Sequence, residues 1–173
     1  MLIERFNADQ ALEILSDLVV LLQDVVNAGG TIGFMPPISN EEASTYWQDV
    51  IQTLRGPLRV LVVACDGEAV IGSVQLDLCG RSNGLHRAEV MKVMVHSKHR
   101  KKGIGAQLMR AIETQAKLEG RSTLVLDTRE GDDGVRLYER QGYEVAGVIP
   151  EYARSADGNL HATVYMYKLL GEP

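Results

Sequence analysis

Residues 88–106 constrain this chain more than any other stretch. Ala88-Glu89-Val90-Met91-Lys92-Val93-Met94-Val95 reads as an apolar strand. His96-Ser97-Lys98-His99-Arg100-Lys101-Lys102 is a basic turn that runs into Gly103-Ile104-Gly105. From there Ala106-Gln107-Leu108-Met109-Arg110-Ala111-Ile112 opens an amphipathic helix. The first amides of a helix have no partner inside it, and the helix dipole makes that end positive. A basic glycine turn leading into such an end suits a phosphate or pyrophosphate. The glycines matter because an anion approaches the backbone closely only where no Cβ intrudes. The anion then belongs to a ligand held beside the end of this strand.

Two common phosphate loops do not fit. Gly-Lys-Ser/Thr never follows a spaced glycine, so the Walker A pattern is absent. Gly103 and Gly105 are followed by Leu108 where a dinucleotide fingerprint needs a third glycine. Arg100-x-x-Gly103-x-Gly105 resembles instead the pyrophosphate loop of the GNAT superfamily of N-acetyltransferases, which use acetyl-CoA. Gly134-Val135-Arg136-Leu137-Tyr138-Glu139-Arg140-Gln141-Gly142-Tyr143-Glu144 is similar to that family's LYxxxGF helix–turn–strand, with Tyr143 in place of Phe. The two motifs come in the family's order, separated by the strand-like Leu124-Val125-Leu126.

Periodicity fills in the rest. A short strand over 2–6 precedes an amphipathic helix on Leu12, Leu15, Leu18, Val19, Leu22, Val25 and Val26, which Gly29-Gly30 ends. Residues 31–37 read as an irregular loop with Phe34 and Met35 exposed. Ser39-x-x-Glu42 is a capping box for a second helix with Ala43, Tyr46, Trp47, Val50, Ile51 and Leu54 on its apolar face. Strands are expected over 60–64, 69–78, 88–95, 123–128, 143–149 and 162–169, with helices after Gly103 and over 132–141. Asp157-Gly158 marks a hairpin between the last two strands. The order β-α-α-β-β-β-α-β-α-β-β is α/β. The resemblance implies a mixed, mostly antiparallel sheet with splayed central strands flanked by helices, as one domain over 1–173.

Composition excludes several classes. A net charge of −5 leaves no general nucleic-acid footprint, so no nucleic-acid partner is expected. The apolar stretch 12–26 carries Glu13, Asp17 and Asp24 and is not a membrane span. No signal peptide is recognisable, and Cys65 and Cys79 read as buried free thiols, so a cytoplasmic setting is expected. His86, His96, His99 and His161 are too scattered for a metal site, and no metal is expected.

Acetyl transfer to an amine requires that the ammonium lose a proton, the oxyanion be stabilised and the departing thiolate be protonated. An alkyl ammonium with a pKa of about 10 is almost wholly protonated at neutral pH. Glu89 is the lone carboxylate of its strand, and on simple alternation it shares a face with Met91, Val93 and Val95. Its plain alternative is an ion pair with Arg87 or Lys92. Asp127 ends an apolar strand, where ligands gather in α/β sheets, and its alternative is a turn or cap residue. Together they would make an acidic pocket for a cationic acceptor and raise the pKa of one member. The resemblance implies Tyr138 as the general acid, against a packing role. It also implies that the backbone of Val93, Met94 and Val95 binds the pantetheine arm of acetyl-CoA. Arg100, Lys101, Lys102, Gly103, Ile104, Gly105 and Ala106 would hold the pyrophosphate.

The acceptor pocket implied by the resemblance uses 29–37 and 151–161, with Phe34, Met35, Glu89, Asp127 and Tyr152 as lining and Arg154 nearby. Gly33-Phe34-Met35, residues 83–90, Leu126-Asp127-Thr128 and residues 157–161 resemble the tabtoxin-resistance type of acetyltransferase. That implies a small, amino-acid-like amine, such as a toxin or antibiotic. Two other readings stand beside it: an enzyme acting on a protein N-terminus or lysine, and a non-catalytic module binding coenzyme A or nucleic acid. Exposed strand edges with Phe34 and Met35 would suit a homodimer, which nothing in the sequence selects.

Overall fold

The computed structural model describes residues 1–171. In chain order the elements are β1 (Leu2–Phe6), α1 (Ala8–Glu13), α2 (Leu15–Asn27), α3 (Asn40–Thr53), β2 (Arg59–Asp66), β3 (Ala69–Leu78), β4 (Arg87–Val95), α4 (Ile104–Leu118), β5 (Thr123–Arg129), α5 (Asp133–Arg140), β6 (Glu144–Arg154) and β7 (Leu160–Leu169). The strands form one seven-stranded sheet in the order β1-β2-β3-β4-β5-β7-β6. The β4–β5 pair is parallel and the other pairs are antiparallel.

Each face of the sheet carries a core. Val60, Val62, Leu76, Ala88, Val90, Leu124 and Leu126 pack against Leu108, Met109 and Ile112 of α4 and Tyr138 of α5. On the other face Leu61, Val63 and Met94 pack against Leu18, Leu21 and Leu22 of α2 and Trp47 and Ile51 of α3. Each such buried side chain contributes about 1.5–3 kcal/mol relative to leaving it in water. No helix among the described residues is long and apolar enough to cross a membrane.

The first helix departs from expectation. It begins at Ala8, where Asn7 accepts from the Gln10 amide at 2.9 Å and the Gln10 side chain accepts from the Asn7 amide at 2.9 Å. That reciprocal cap is an Asn-x-x-Gln version of the capping box. The helix then breaks at Ile14, whose φ of −106° and ψ of 20° are not helical, so α1 and α2 are separate. The break turns Leu12 outward, 52% exposed, while Leu21 is fully buried. Phe34 is half-buried rather than exposed, packed edge-on against Tyr46 at 5.1 Å. Cys65 and Cys79 are free but only partly buried.

The feature that shapes the site lies in β4. Ser73 pairs with Met94 and Gln75 with Met91, so one residue of β3 faces two of β4, Lys92 and Val93. Lys92 takes a left-handed φ of 53°. This is a β-bulge, and it resets the pleat. Ala88 and Val90 face α4 before it, and Val93 and Val95 pack on that same core after it, while Met94 is buried toward α2 and α3. Glu89 and Met91 therefore do not share a face with Val93 and Val95, because simple alternation fails at the extra residue.

Candidate active site

β4 and β5 pair only from Arg87 to Glu89 against Thr123 to Val125. Beyond that they diverge, and the β5-facing edge of β4 from Val90 to Val95 carries no strand. A cleft of about 1160 Å³ fills the opening. The start of α4, α5, residues 29–36 and the end of β6 wall it.

One half of the cleft is built for an anion. Lys101 and Gly103 both adopt left-handed backbone, φ 61° and 79°, and this turns the chain sharply into α4. The first helical bond runs from the Gln107 amide to the Gly103 carbonyl at 3.1 Å, so the amides of Ile104, Gly105 and Ala106 have no helix partner. No side chain caps them, and the first turn carries no acid. Arg100 folds back so that its Nε donates to Val95 O at 3.3 Å. Asp24 of α2 anchors the start of the loop. It accepts from the Ser97 amide at 2.6 Å and the Ser97 hydroxyl at 2.7 Å. Gly105 has a packing reason as well, since a Cβ there would lie 3.2 Å from Leu137 Cδ2. Substitution at Gly105 therefore tests helix packing as much as ligand approach.

The other half is acidic. Glu89 stands across from Asp77 on β3 and beside Val125 on β5, with Asp127 two residues further along β5. Desolvation by the cleft walls, then Asp127 and Asp77, push the Glu89 carboxyl above its usual range, and Arg59 and Lys92 pull it back only in part. Thr163, buried on β7, donates to Asp127 Oδ2 at 2.7 Å. Tyr138 is 8% exposed on α5 yet lines the cleft. Burial, followed by Asp127 and Asp132, pushes its phenol above the usual range, so it stays protonated. Tyr143, the residue that stands where the motif has Phe, buries its hydroxyl beside Glu113. Burial and that carboxylate also raise its pKa.

Among the expected site residues, Phe34, Met35, Glu89, Val93, Val95, Arg100, Lys101, Gly103, Ile104, Gly105, Ala106, Asp127, Tyr138 and Tyr152 all line this one cleft. Met94 and Lys102 do not. The bulge turns the Met94 side chain into the opposite core, and Lys102 points to solvent. The plain alternatives for the carboxylates fail. Glu89 makes no salt bridge among the described residues, and Arg87 reaches Cys79 Sγ at 3.7 Å instead. Asp127 lies inside β5, and the cap of α5 is Asp132. Of the loop segments, residues 33–35, 89–90, 127–128 and His161 line the cleft, and residues 83–88 lie outside it. Sequence reasoning missed Asp24, Thr163 and the placement of Lys92, because each depends on a contact between distant segments. No group of three His, Cys, Asp or Glu among the described residues is placed to hold a metal.

Comparison with known proteins gives a consistent result. Residues 32–143 match the model of the acetyltransferase (GNAT) family. The chain is 33% identical over 118 residues to an uncharacterized N-acetyltransferase in the hisH-hisA intergenic region of Azospirillum brasilense, covering 67% of this chain and 68% of that one. The fold resembles the crystal structure of a ribosomal-protein-alanine N-acetyltransferase from Brucella melitensis, with a TM-score of 0.78, 19% identity and coverage of 98% and 100% of the two chains. It also resembles an aminoglycoside 6'-N-acetyltransferase from Enterococcus faecium, with a TM-score of 0.76, 20% identity and coverage of 100% and 99%.

Proposed function

The chain belongs to the acetyltransferase (GNAT) family of acetyl-CoA-dependent N-acetyltransferases, and from that premise we propose that it acetylates a small primary amine by direct transfer, with both substrates bound at once. The amine is an amino-acid-like metabolite, toxin or antibiotic. The observation that carries this reading is the two carboxylates, Glu89 and Asp127, free of ion pairs among the described residues, in the half of the cleft that faces the anion-binding end of α4.

The donor half fits acetyl-CoA on its own chemistry. Three unpartnered amides, no acid in the first turn and the basic side chains of Arg100 and Lys101 suit a pyrophosphate. The strandless edge of β4 suits an extended arm that needs backbone partners. Bound there, acetyl-CoA supplies the activated acetyl group.

The chain's own residues do the rest. Asp127, held by Thr163, attracts the acceptor's ammonium. Glu89, with its raised pKa, takes the proton and releases the neutral amine. An amide of the Val93-Met94-Val95 segment would stabilise the negative charge that develops on the carbonyl oxygen. Tyr138, still a neutral phenol, returns a proton to the departing sulfur. Two features support a small acceptor over a peptide. Residues 31–36 and the β6 end with Tyr152 and Arg154 both close on this half of the cleft, where a peptide would need a groove open at both ends. The tabtoxin-like residues at 33–35, 127–128 and 161 lie on the same wall.

The test is turnover with acetyl-CoA across amino acids, aminoglycosides, polyamines and peptides with free N-termini, read as thiol release. Small amines are expected to show the highest kcat/KM. A peptide that outperforms all of them would overturn the acceptor class and leave the reaction type standing.

A further inference from the structure

Lys92 occupies a costly position. Its left-handed φ of 53° is one that glycine adopts without strain. A lysine there must return something through its side chain, and the contacts show what that is. The side chain leaves the bulge toward α3, and Nζ donates to the carbonyl of Ile32. The ammonium lies 5.3 Å from the Phe34 ring centre and 5.8 Å from that of Tyr46, within cation–π range of both. It forms no salt bridge among the described residues, and burial, helped by Arg59, holds its pKa below the usual lysine range against the pull of Asp127 and Glu89. The loop is shaped to receive it. Gly33 has a φ of 89°, and a Cβ built there would lie 3.0 Å from Lys92 Nζ. The Tyr46 ring is fixed from behind, since Gln75 Nε2, buried on β3, donates to Tyr46 Oη at 2.8 Å.

The geometry points to Lys92 as a positioning residue that latches residues 31–36 over the acceptor half of the cleft. It thereby ties the acceptor's wall to the strand along which the donor lies. This rests on the reading that residues 31–36 help to bind the acceptor. Lys92 itself touches neither reacting atom in this scheme. Its partners are a carbonyl and two ring faces of the loop and helix, and these are contacts that order a segment. The neighbouring Val93 begins the donor-facing part of β4, so one bulge sets both substrates' walls in register.

The test uses three variants of the full chain. Lys92→Met keeps the apolar stem and removes the donor and the charge. Lys92→Arg keeps the charge. Gly33→Ala crowds the latch from the loop side. Lys92→Met is expected to raise acceptor KM by about tenfold or more, the loss of one charge-assisted hydrogen bond, while acetyl-CoA KM stays within about twofold. Hydrogen exchange at the amides of residues 31–35 is expected to quicken in Lys92→Met and in Gly33→Ala. Lys92→Arg restores part of both effects. Unchanged loop exchange and acceptor KM in Lys92→Met would overturn the latch. So would an equal rise in both KM values, which is what general loosening of the fold gives. The exchange measurement needs no acceptor, so failure of the proposed acceptor class is seen separately in the amine panel.

Discussion

Removing the carboxylate of Asp24 should loosen the donor loop from a distance. Asp24 lies near the end of α2, and 21% of its side chain is exposed. It accepts two hydrogen bonds from Ser97, at 2.6 and 2.7 Å. A hydrogen bond to a charged group contributes about 1.5–3 kcal/mol. Two of them, discounted for the water that reaches the carboxylate, give a loss of roughly 2–3 kcal/mol in Asp24→Ala. In a chain of this size 1 kcal/mol moves Tm by roughly 2–4 °C, so a fall of about 4–12 °C is expected. Asp24→Asn keeps an acceptor for one bond and should lose about half as much. The effect also has a pH signature. Burial works against the charged form, but the Ser97 bonds together with His96 and Arg100 outweigh it and hold the Asp24 carboxyl below its usual range. A lowered carboxyl stabilises the fold above its unfolded value of about 3.9, and that contribution is lost as pH falls through the folded value. Urea denaturation of the parent and Asp24→Ala at pH 7 and at progressively lower pH should therefore show a stability gap that narrows in acid. Calorimetric titration at pH 7 should show weaker acetyl-CoA binding in the variant. A gap under about 0.5 kcal/mol at pH 7, within the range of an ordinary surface change, with acetyl-CoA Kd intact, would refute this account of how the loop is held.

Three further outcomes follow from the site. Tyr138→Phe should lower kcat by about 10²-fold, the low end for general acid catalysis because a thiol with a pKa of about 8.5 leaves readily, while acetyl-CoA KM is kept. An unchanged kcat would remove the phenol from the chemistry. The pH–kcat profile should rise with pH as Glu89 deprotonates, and Asp127→Asn should move that limb to lower pH because a like charge that raises the Glu89 pKa is gone. In Glu89→Gln the limb should disappear, and its persistence there would place the base elsewhere. Gly103→Ala meets no protein atom within 4 Å, so its stability cost should be about 1–2 kcal/mol for left-handed backbone. Its acetyl-CoA Kd, measured by calorimetry, should rise by about tenfold or more because the Cβ crowds the anion's approach.

The parts of this protein that were legible in its sequence are those written locally. The strand, basic turn and helix at 88–112 are one continuous stretch, and the α/β order followed from periodicity. The capping of α3 by Ser39 was readable because its partner, Glu42, is three residues away. The break at Ile14 was not, since apolar spacing continues through it. Nor was the bulge, because Lys92 looks like any polar residue in an alternating strand until its register with β3 is known. Residues such as Thr163 and Asp24 gain their roles only from partners 36 and 73 positions away. Met94 was expected at the cleft through its backbone, and the reset pleat, which buries its side chain in the opposite core, could not be read from the sequence.

The single extra residue in β4 also bears on how such an enzyme changes over generations. Upstream of it, Glu89 and Met91 face one side of the sheet, and downstream Val93 and Val95 face the other. In the proposed arrangement, substitutions before the bulge reshape what is accepted while the donor's side of the strand is untouched. The strand thus tolerates drift in one preference at constant chemistry in the other. A one-residue deletion at 92 would remove the bulge and leave Val93, Met94 and Val95 on the faces they hold now, but it would take away the side chain that reaches the carbonyl of Ile32. The cost of such a deletion falls on the link to residues 31–36, not on the facing of the strand beyond it.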